Sequence, residues 1–265
     1  MRGKHRFTLV LALTTLVVAV TLSGAAQAQD AAEMARKLQD PLANIKALMT
    51  DNDVNFNSGN NETSYGFQLQ PVYAVPFDDQ GFNLINRAVI PVLGMPPTSQ
   101  RPGLGAEPLP PGQDYEWGLA DIALQFFFSP KSESAWKWGL GPMLSLKTRS
   151  NDKLAGAGWG GGPAGVLVGG VGSLSIATIL GHVWGENQFS LTILQPMLFY
   201  NVGNDGWTVH YNNIISHDWN ASSGNEWTVP LGLGASKTFA LESGIGIEPL
   251  LGYYYNVVRP DGAGD

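Results

Sequence analysis

The side chains that could do chemistry are few, and their spacing decides against most of it. Gly156-Ala157-Gly158-Trp159-Gly160-Gly161 has the G-x-G-x-x-G spacing of a dinucleotide-binding turn. That chemistry needs a helix opening after the glycines and an acidic residue about 20 positions on. Neither follows, and small residues packing in a strand and turn account for the motif. Ser216, His217 and Asn213 are near enough in sequence for a nucleophile, a base and an orienting amide. Successive residues of a strand point to opposite faces, however, so they do not converge. His182, His210 and His217 lack a ligand spacing such as H-E-x-x-H, so no metal is expected. With no cysteine there is no disulfide, thiolate site or cysteine nucleophile. No enzyme and no cofactor is expected.

What remains is a set of polar side chains on the less apolar face of alternating segments. If that face points into a lumen, Gln68, Gln70, Arg87, Asp121, Gln125 and Lys137 approach it. Lys147, Arg149, His210, Asn212, Asp218 and Glu248 join them from later segments. Charges inside a membrane protein are costly unless wet or paired, so these twelve are the candidate pore-lining residues. The bland alternative has Arg87 or the basic segment 135–149 pairing with Asp121 or Glu248, simply filling a narrow barrel.

The elements that would position these residues begin after a leader. Arg2, Lys4, His5 and Arg6 precede an apolar stretch from Phe7 to Leu22, and Ala26-Gln27-Ala28 closes it. A basic head, a short apolar run and a small-residue cut site read as a secretory signal over residues 1–28. Three basic residues lie in it, leaving 12 basic against 22 acidic groups and a formal charge of −10. Phosphate binding depends on clustered Lys and Arg, so nucleic acid is not an expected partner. Charged residues make up only 14% of the chain, against roughly 25% in soluble domains. No later stretch has the roughly 18 apolar residues of a membrane helix. A chain of this kind can sit in lipid only as a closed barrel, because lipid offers no partners to an open sheet edge.

From Tyr65 onward, segments of strand length alternate with turn-forming residues. In 135–149, Trp136, Trp138, Leu140, Pro142, Leu144 and Leu146 share one face. Segments 64–77 and 226–239 alternate likewise, whereas 81–93 and 173–184 carry apolar residues on both faces. Aromatic residues gather at segment ends, as expected of two girdles at the membrane surfaces. Short links at 78–80, 131–134, 170–172, 203–206 and 240–243 alternate with links that are mostly longer, at 94–114, 150–158, 185–187 and 220–225. The first set reads as periplasmic turns and the second as outer loops. Eleven strands can be counted, and bacterial single-chain barrels have even numbers, so a twelfth is expected to be missing at the end of the chain. Residues 29–52 carry Met34, Leu38, Leu42 and Ile45 at near-helical spacing. They predict a short helix at the periplasmic mouth or in the lumen, or else a frayed leader.

Several runs have a further likeness. Gln68-Leu69-Gln70-Pro71-Val72, Asn83-Leu84-Ile85-Asn86-Arg87 and Gly118-Leu119-Ala120-Asp121 occur with Phe126-Phe127-Phe128-Ser129-Pro130-Lys131. Trp138-Gly139-Leu140-Gly141-Pro142, Gly181-His182-Val183-Trp184 and Trp227-Thr228-Val229-Pro230-Leu231 follow in order. The set resembles a family of bacterial outer-membrane transporters often labelled neuromedin U, related to outer-membrane components of phenol-degradation pathways. The resemblance spans roughly residues 37 to 262. It implies a roughly 12-stranded barrel with a transport role and no established substrate. It also implies a last strand with an aromatic-rich tail, which this chain lacks.

The expectation is therefore an all-β, antiparallel transmembrane barrel of about 12 strands over residues 53–265, with a short N-terminal helix. It would be exported through the periplasm to the cell outer membrane, with the barrel-assembly machinery and outer-membrane lipids as partners. Passage of small solutes, aromatic or apolar ones included, is the leading function. A non-conducting structural or surface-interaction barrel is the second.

Overall fold

The computed structural model describes residues 12–20 (as backbone), 31–58, 62–96, 115–154, 156–261 and 263–264. The long Pro-rich link expected at 94–114 lies largely outside them. Alternation in the sequence becomes strand after strand. β1 (Ala12–Val20), β2 (Lys46–Ser58), β3 (Glu62–Phe77) and β4 (Phe82–Met95) come first, with helix α1 (Ala31–Leu38) between β1 and β2. β5 (Glu116–Leu119), β6 (Ile122–Pro130), β7 (Lys137–Leu146), β8 (Gly160–Val171) and β9 (Leu174–Trp184) follow. β10 (Ser190–Val202), β11 (Trp207–Asn212), β12 (Ile215–Asp218), β13 (Trp227–Lys237), β14 (Phe239–Ala240) and β15 (Ile245–Val258) complete the set.

These fifteen strands form one antiparallel sheet. β5 with β6, β11 with β12, and β13 with β14 are single staves interrupted by a residue or two, so the sheet has twelve staves. It closes on itself: β13 pairs with β15, β15 with β1, and β1 with β2. The eleven staves from β2 to β15 are the eleven segments counted in the sequence. The twelfth place, expected to be empty, is taken by Ala12–Val20, part of the stretch read as an export signal. Val20 sits opposite both Ile245 and Lys46. An apolar run rich in Val and Leu makes a good strand, and the facing edges of β2 and β15 are otherwise unpaired. The N-terminal boundary also moves. The helix ends at Leu38, and β2 begins at Lys46 rather than at residue 53, because its early residues pair with β3, Lys46 with Tyr73 and Met49 with Gln70.

The outer surface of the ring is apolar. Trp138, Leu140 and Leu144 of β7 point outward, while Gly139, Met143 and Ser145 point inward. Tyr65, Phe67 and Tyr73 do the same on β3, and Trp227, Leu231 and Leu233 on β13. Each such side chain left in water forgoes about 1.5–3 kcal/mol of burial. A band of them around the whole barrel requires lipid. Tyr65, Trp117, Trp159, Trp184, Trp219 and Trp227 ring the end with the long links, and Phe128, Trp136, Trp207 and Phe239 ring the short-turn end. Among the described residues no helix is long and apolar enough to cross a membrane. The strands do the crossing.

The two ambiguous segments now have a direction. Ile85 and Arg87 point inward from β4, and Ala177 and Ile179 from β9, with Leu180 and Trp184 outside. Inside, Ile85, Phe127, Met143, Val166, Ile179 and Phe199 form an apolar cluster that also receives Leu42. Close strand packing depends on Gly141, where a Cβ would lie 1.8 Å from the Phe126 carbonyl oxygen. Gly141→Ala is expected to destabilise the barrel by about 1–3 kcal/mol, the usual cost of overpacking. Urea unfolding in micelles measures it, and an unchanged midpoint would mean that the strands part at no cost.

Candidate functional site

The lumen is filled in three layers, each from a different part of the chain. At the short-turn end sits α1. Its Glu33 and Lys37 pair at 2.9 Å one turn apart, while Met34 and Ala35 are fully buried. Met34 lies over Gly246, where a Cβ would come within 2.6 Å of its Cγ. The chain after the helix goes deeper. Gln39 Nε2 donates to Asn201 Oδ1 at 3.0 Å and to Thr208 Oγ1 at 3.2 Å, and Asn201 Nδ2 returns a bond to Gln39 Oε1 at 3.1 Å. Asp40 pairs with Lys137 and accepts from the Leu42 amide at 2.8 Å. Polar groups taken out of water keep partners here, which ties the segment down.

The middle layer centres on Arg87. Its Nη2 donates to Gln70 Oε1 at 2.6 Å and its Nη1 to Gln125 Oε1 at 3.1 Å. Gln70 in turn donates to Gln68 Oε1 at 3.0 Å, and Gln125 to Met143 Sδ at 3.2 Å. Across the lumen, Gln195 Nε2 donates to Asn212 Oδ1 at 3.0 Å. His210 is buried beside Phe199, their ring centroids 5.9 Å apart. Glu248 is buried towards the helix and accepts from Ser236 Oγ at 2.6 Å. Two hollows meet at Arg87. One runs under residues 38–45 and is walled by Met49, Val72, Ile85, Phe127, Ile179 and Phe199. The other is polar, with Asp51, Asp53, Gln68, His210, Asn213 and Tyr254.

The third layer lies at the long-link end. Arg149 and Asp121 face each other at 3.4 Å, with both side chains less than a tenth exposed. Asp121 also accepts from the Gly158 amide at 2.8 Å and the Arg149 amide at 3.3 Å. Glu186 bridges to Lys147 at 2.7 Å and to Arg149 at 3.7 Å. Lys153 pairs with Glu116. Just outside β5, Tyr115 donates to the Thr63 carbonyl, and burial pushes its phenol up to about 12, so it keeps that proton at neutral pH.

The candidate residues thus fall into separate groups rather than one ring. Gln68, Gln70, Arg87, Gln125, His210 and Asn212 share the middle layer. Asp121, Lys147 and Arg149 form the outer network, and Asp218 shares the inward face of β12 with buried Ser216, its Oδ1 accepting from the Asn220 amide at 3.0 Å. Lys137 holds the N-terminal segment, and Glu248 lines the apolar hollow. Of the pairings weighed as the alternative to pore lining, the one between segment 135–149 and Asp121 is present, through Arg149. Arg87 instead takes two glutamine oxygens, and Glu248 takes serine. Asp51 is hidden in the sequence because the helical reading runs to residue 52, and Asp53 because it stands at the expected boundary. Their spacing of two is the strand period that would have placed them together.

Fold and interior together define a class: a transmembrane β-barrel whose lumen is occupied at one end by its own N-terminal segment. Neither a family model nor a curated protein matches the sequence. Among solved structures, the COG4313 outer membrane channel from Pseudomonas putida F1 aligns over 96% of this chain and 100% of that one, at 12% identity and a TM-score of 0.48.

Proposed function

We propose that this chain is an outer-membrane channel for small solutes, held narrow at its periplasmic end by residues 31–45. The observation that supports it best is the interior itself: joined hollows with a polar collar run inside a barrel whose outer surface suits only lipid. A barrel serving purely as a scaffold has no need of a lumen walled by Arg87, Asp51, Asp53 and four glutamines. The transporter family that the sequence motifs resemble implies the same class. The short turns then face the periplasm and the long links the outside, and assembly follows export and delivery to the barrel-assembly machinery.

Planar-bilayer conductance tests the proposal. The chain as it stands is expected to give small, discrete steps. Deleting Ala31–Ala43 is expected to enlarge them several-fold, since helix and following turn occupy the inner mouth. A barrel that inserts and resists heat, yet conducts in neither form, would replace the channel with a non-conducting structural or surface-interaction barrel.

A further inference from the structure

We propose that the lipid-facing side of β9, β10, β12 and β13, at the long-link end, binds the neutral sugar head of a glycolipid in the surrounding leaflet. This site lies outside the lumen and needs no conduction, taking from the channel reading only that this end faces outwards. Lower down, the lipid-facing positions of these staves are apolar, as at Leu180, Leu194, Leu198 and Leu233. Near the girdle that pattern breaks. His182 and His217 stand opposite Thr192, one on each side of it, and His217 also stands opposite Trp227. Polar side chains facing lipid are costly at the bilayer centre and cheap only towards its surface, where head groups lie. The next row outwards has Trp184 opposite Ser190, whose carbonyl accepts from the Trp219 amide at 2.9 Å.

The two rows are held as one cluster. Trp219 Nε1 donates to Thr192 Oγ1 at 2.9 Å, and His182 Nδ1 lies 2.7 Å from the same oxygen. Ser190 Oγ lies 3.3 Å from His182 Nε2. The His182 ring packs on Trp184 at 4.2 Å, and the His217 ring sits 4.5 Å from both Trp219 and Trp227. All three indoles stay exposed, and the buried Nδ1 of His217 has no partner among the described residues. Four neighbouring strands and a two-residue rise make a patch about 14 Å across and 7 Å tall. A stable protein partner covers roughly 800 Å² per side, so this footprint suits a small head group instead. Exposed indole faces are electron-rich and take the C–H face of a sugar ring. Sugar hydroxyls donate and accept at once, which suits imidazole and hydroxyl neighbours. A phosphate head lacks its usual partners, because no Lys or Arg occurs between Lys153 and Lys237. Asp218 and Glu226 moreover flank Trp219 and Trp227 in the chain. A quaternary ammonium would use the indoles but forms no hydrogen bond with His217, Thr192 or Ser190. A neutral sugar uses both.

Head-group competition tests the site. The full chain is refolded into nanodiscs carrying equal small fractions of lipids with identical acyl chains and glucosyl, phosphocholine or phosphoglycerol heads. Native mass spectrometry then counts the lipids that stay bound. The glucosyl lipid is expected to be retained about tenfold over each of the others. Free methyl glucoside is expected not to displace it, since the acyl chains hold the head at this depth. His217→Leu with Trp219→Leu is expected to bring retention to parity. Trp117→Leu, on β5 and stacked on Tyr65 in the same girdle, is expected to leave the preference intact. Should the double variant fail to fold, Thr192→Val and the retention order on the unaltered chain decide. Equal retention, a lead for either phospholipid, displacement by methyl glucoside, a preference that survives the double variant, or a lipid-free dimer would overturn the assignment. A chain that shows the preference yet never conducts loses only the channel reading; one that conducts without it loses only this site.

Discussion

Removing residues 1–28 is expected to cost the barrel its closure. β1 meets β15 in seven register pairs and β2 in five, and these are the contacts that join the two ends of the ring at its short-turn half. At the other half Ala263 and Gly264 already bridge, with Asn256 Nδ2 donating to the Gly264 carbonyl at 3.0 Å and Gly264 lying against Ser58. In hydrocarbon each unpaired backbone group costs several kcal/mol, against a total stability of roughly 5–15 kcal/mol. Opening even half the seam is therefore decisive. The chain from Met1 and the chain from Gln29 are refolded into micelles and compared by heat-dependent gel mobility and protease resistance. The shorter one is expected to lose the compact band and to regain it with a peptide of residues 12–20. Equal resistance without the peptide would show β1 to be dispensable. Sequencing the N-terminus of the protein taken from outer membranes then tells the two roles of this stretch apart. A start at Gln29 means that another strand takes the place between β2 and β15, and a start before Ala12 means that β1 stays.

The second large effect is expected at the outer network. Arg149→Leu leaves Asp121 buried with two backbone amides and no cation, a loss of about 3–5 kcal/mol for a broken buried pair. Replacing both, Arg149→Leu with Asp121→Leu, is expected to recover most of it, since a well-packed apolar pair is often neutral. Urea midpoints of the three chains measure this, and a double variant no better than the single one would show that Asp121 matters through Gly158 instead. Lys147→Ala serves as the contrast. Its bond to Glu186 is between half-exposed groups, for which about 1 kcal/mol is the upper range.

Much of this barrel is legible in its sequence. The outward faces of 64–77, 135–149 and 226–239 could be assigned because lipid demands an apolar side chain at every second position and the opposite face there is polar or small. In 81–93 and 173–184 the same rule failed for a physical reason. The lumen is itself apolar at that height, where Ile85 and Ile179 pack with Leu42 and Phe127, so both faces look alike. The middle layer was legible in part. Gln68 and Gln70 share a polar strand face, while Arg87 and Gln125 are polar residues on faces that also carry Ile85 and Phe127, and their meeting depends on register between neighbouring strands. Asp51 and Asp53 were missed through a misplaced boundary.

Sequence alone therefore determined the class of environment: strand period, girdles of aromatics, the count of eleven segments and the alternation of short and long links all follow from local residue type. What fills the barrel was decided only by the tertiary structure. Gln39 meets Asn201 across 162 residues of chain, and nothing local to either predicts the contact. The closing strand is the same kind of fact. The apolar stretch from Phe7 to Leu22, between a basic head and Ala26-Gln27-Ala28, reads as a leader from local residue type alone, and only the tertiary structure pairs its residues Ala12–Val20 as a strand between β2 and β15.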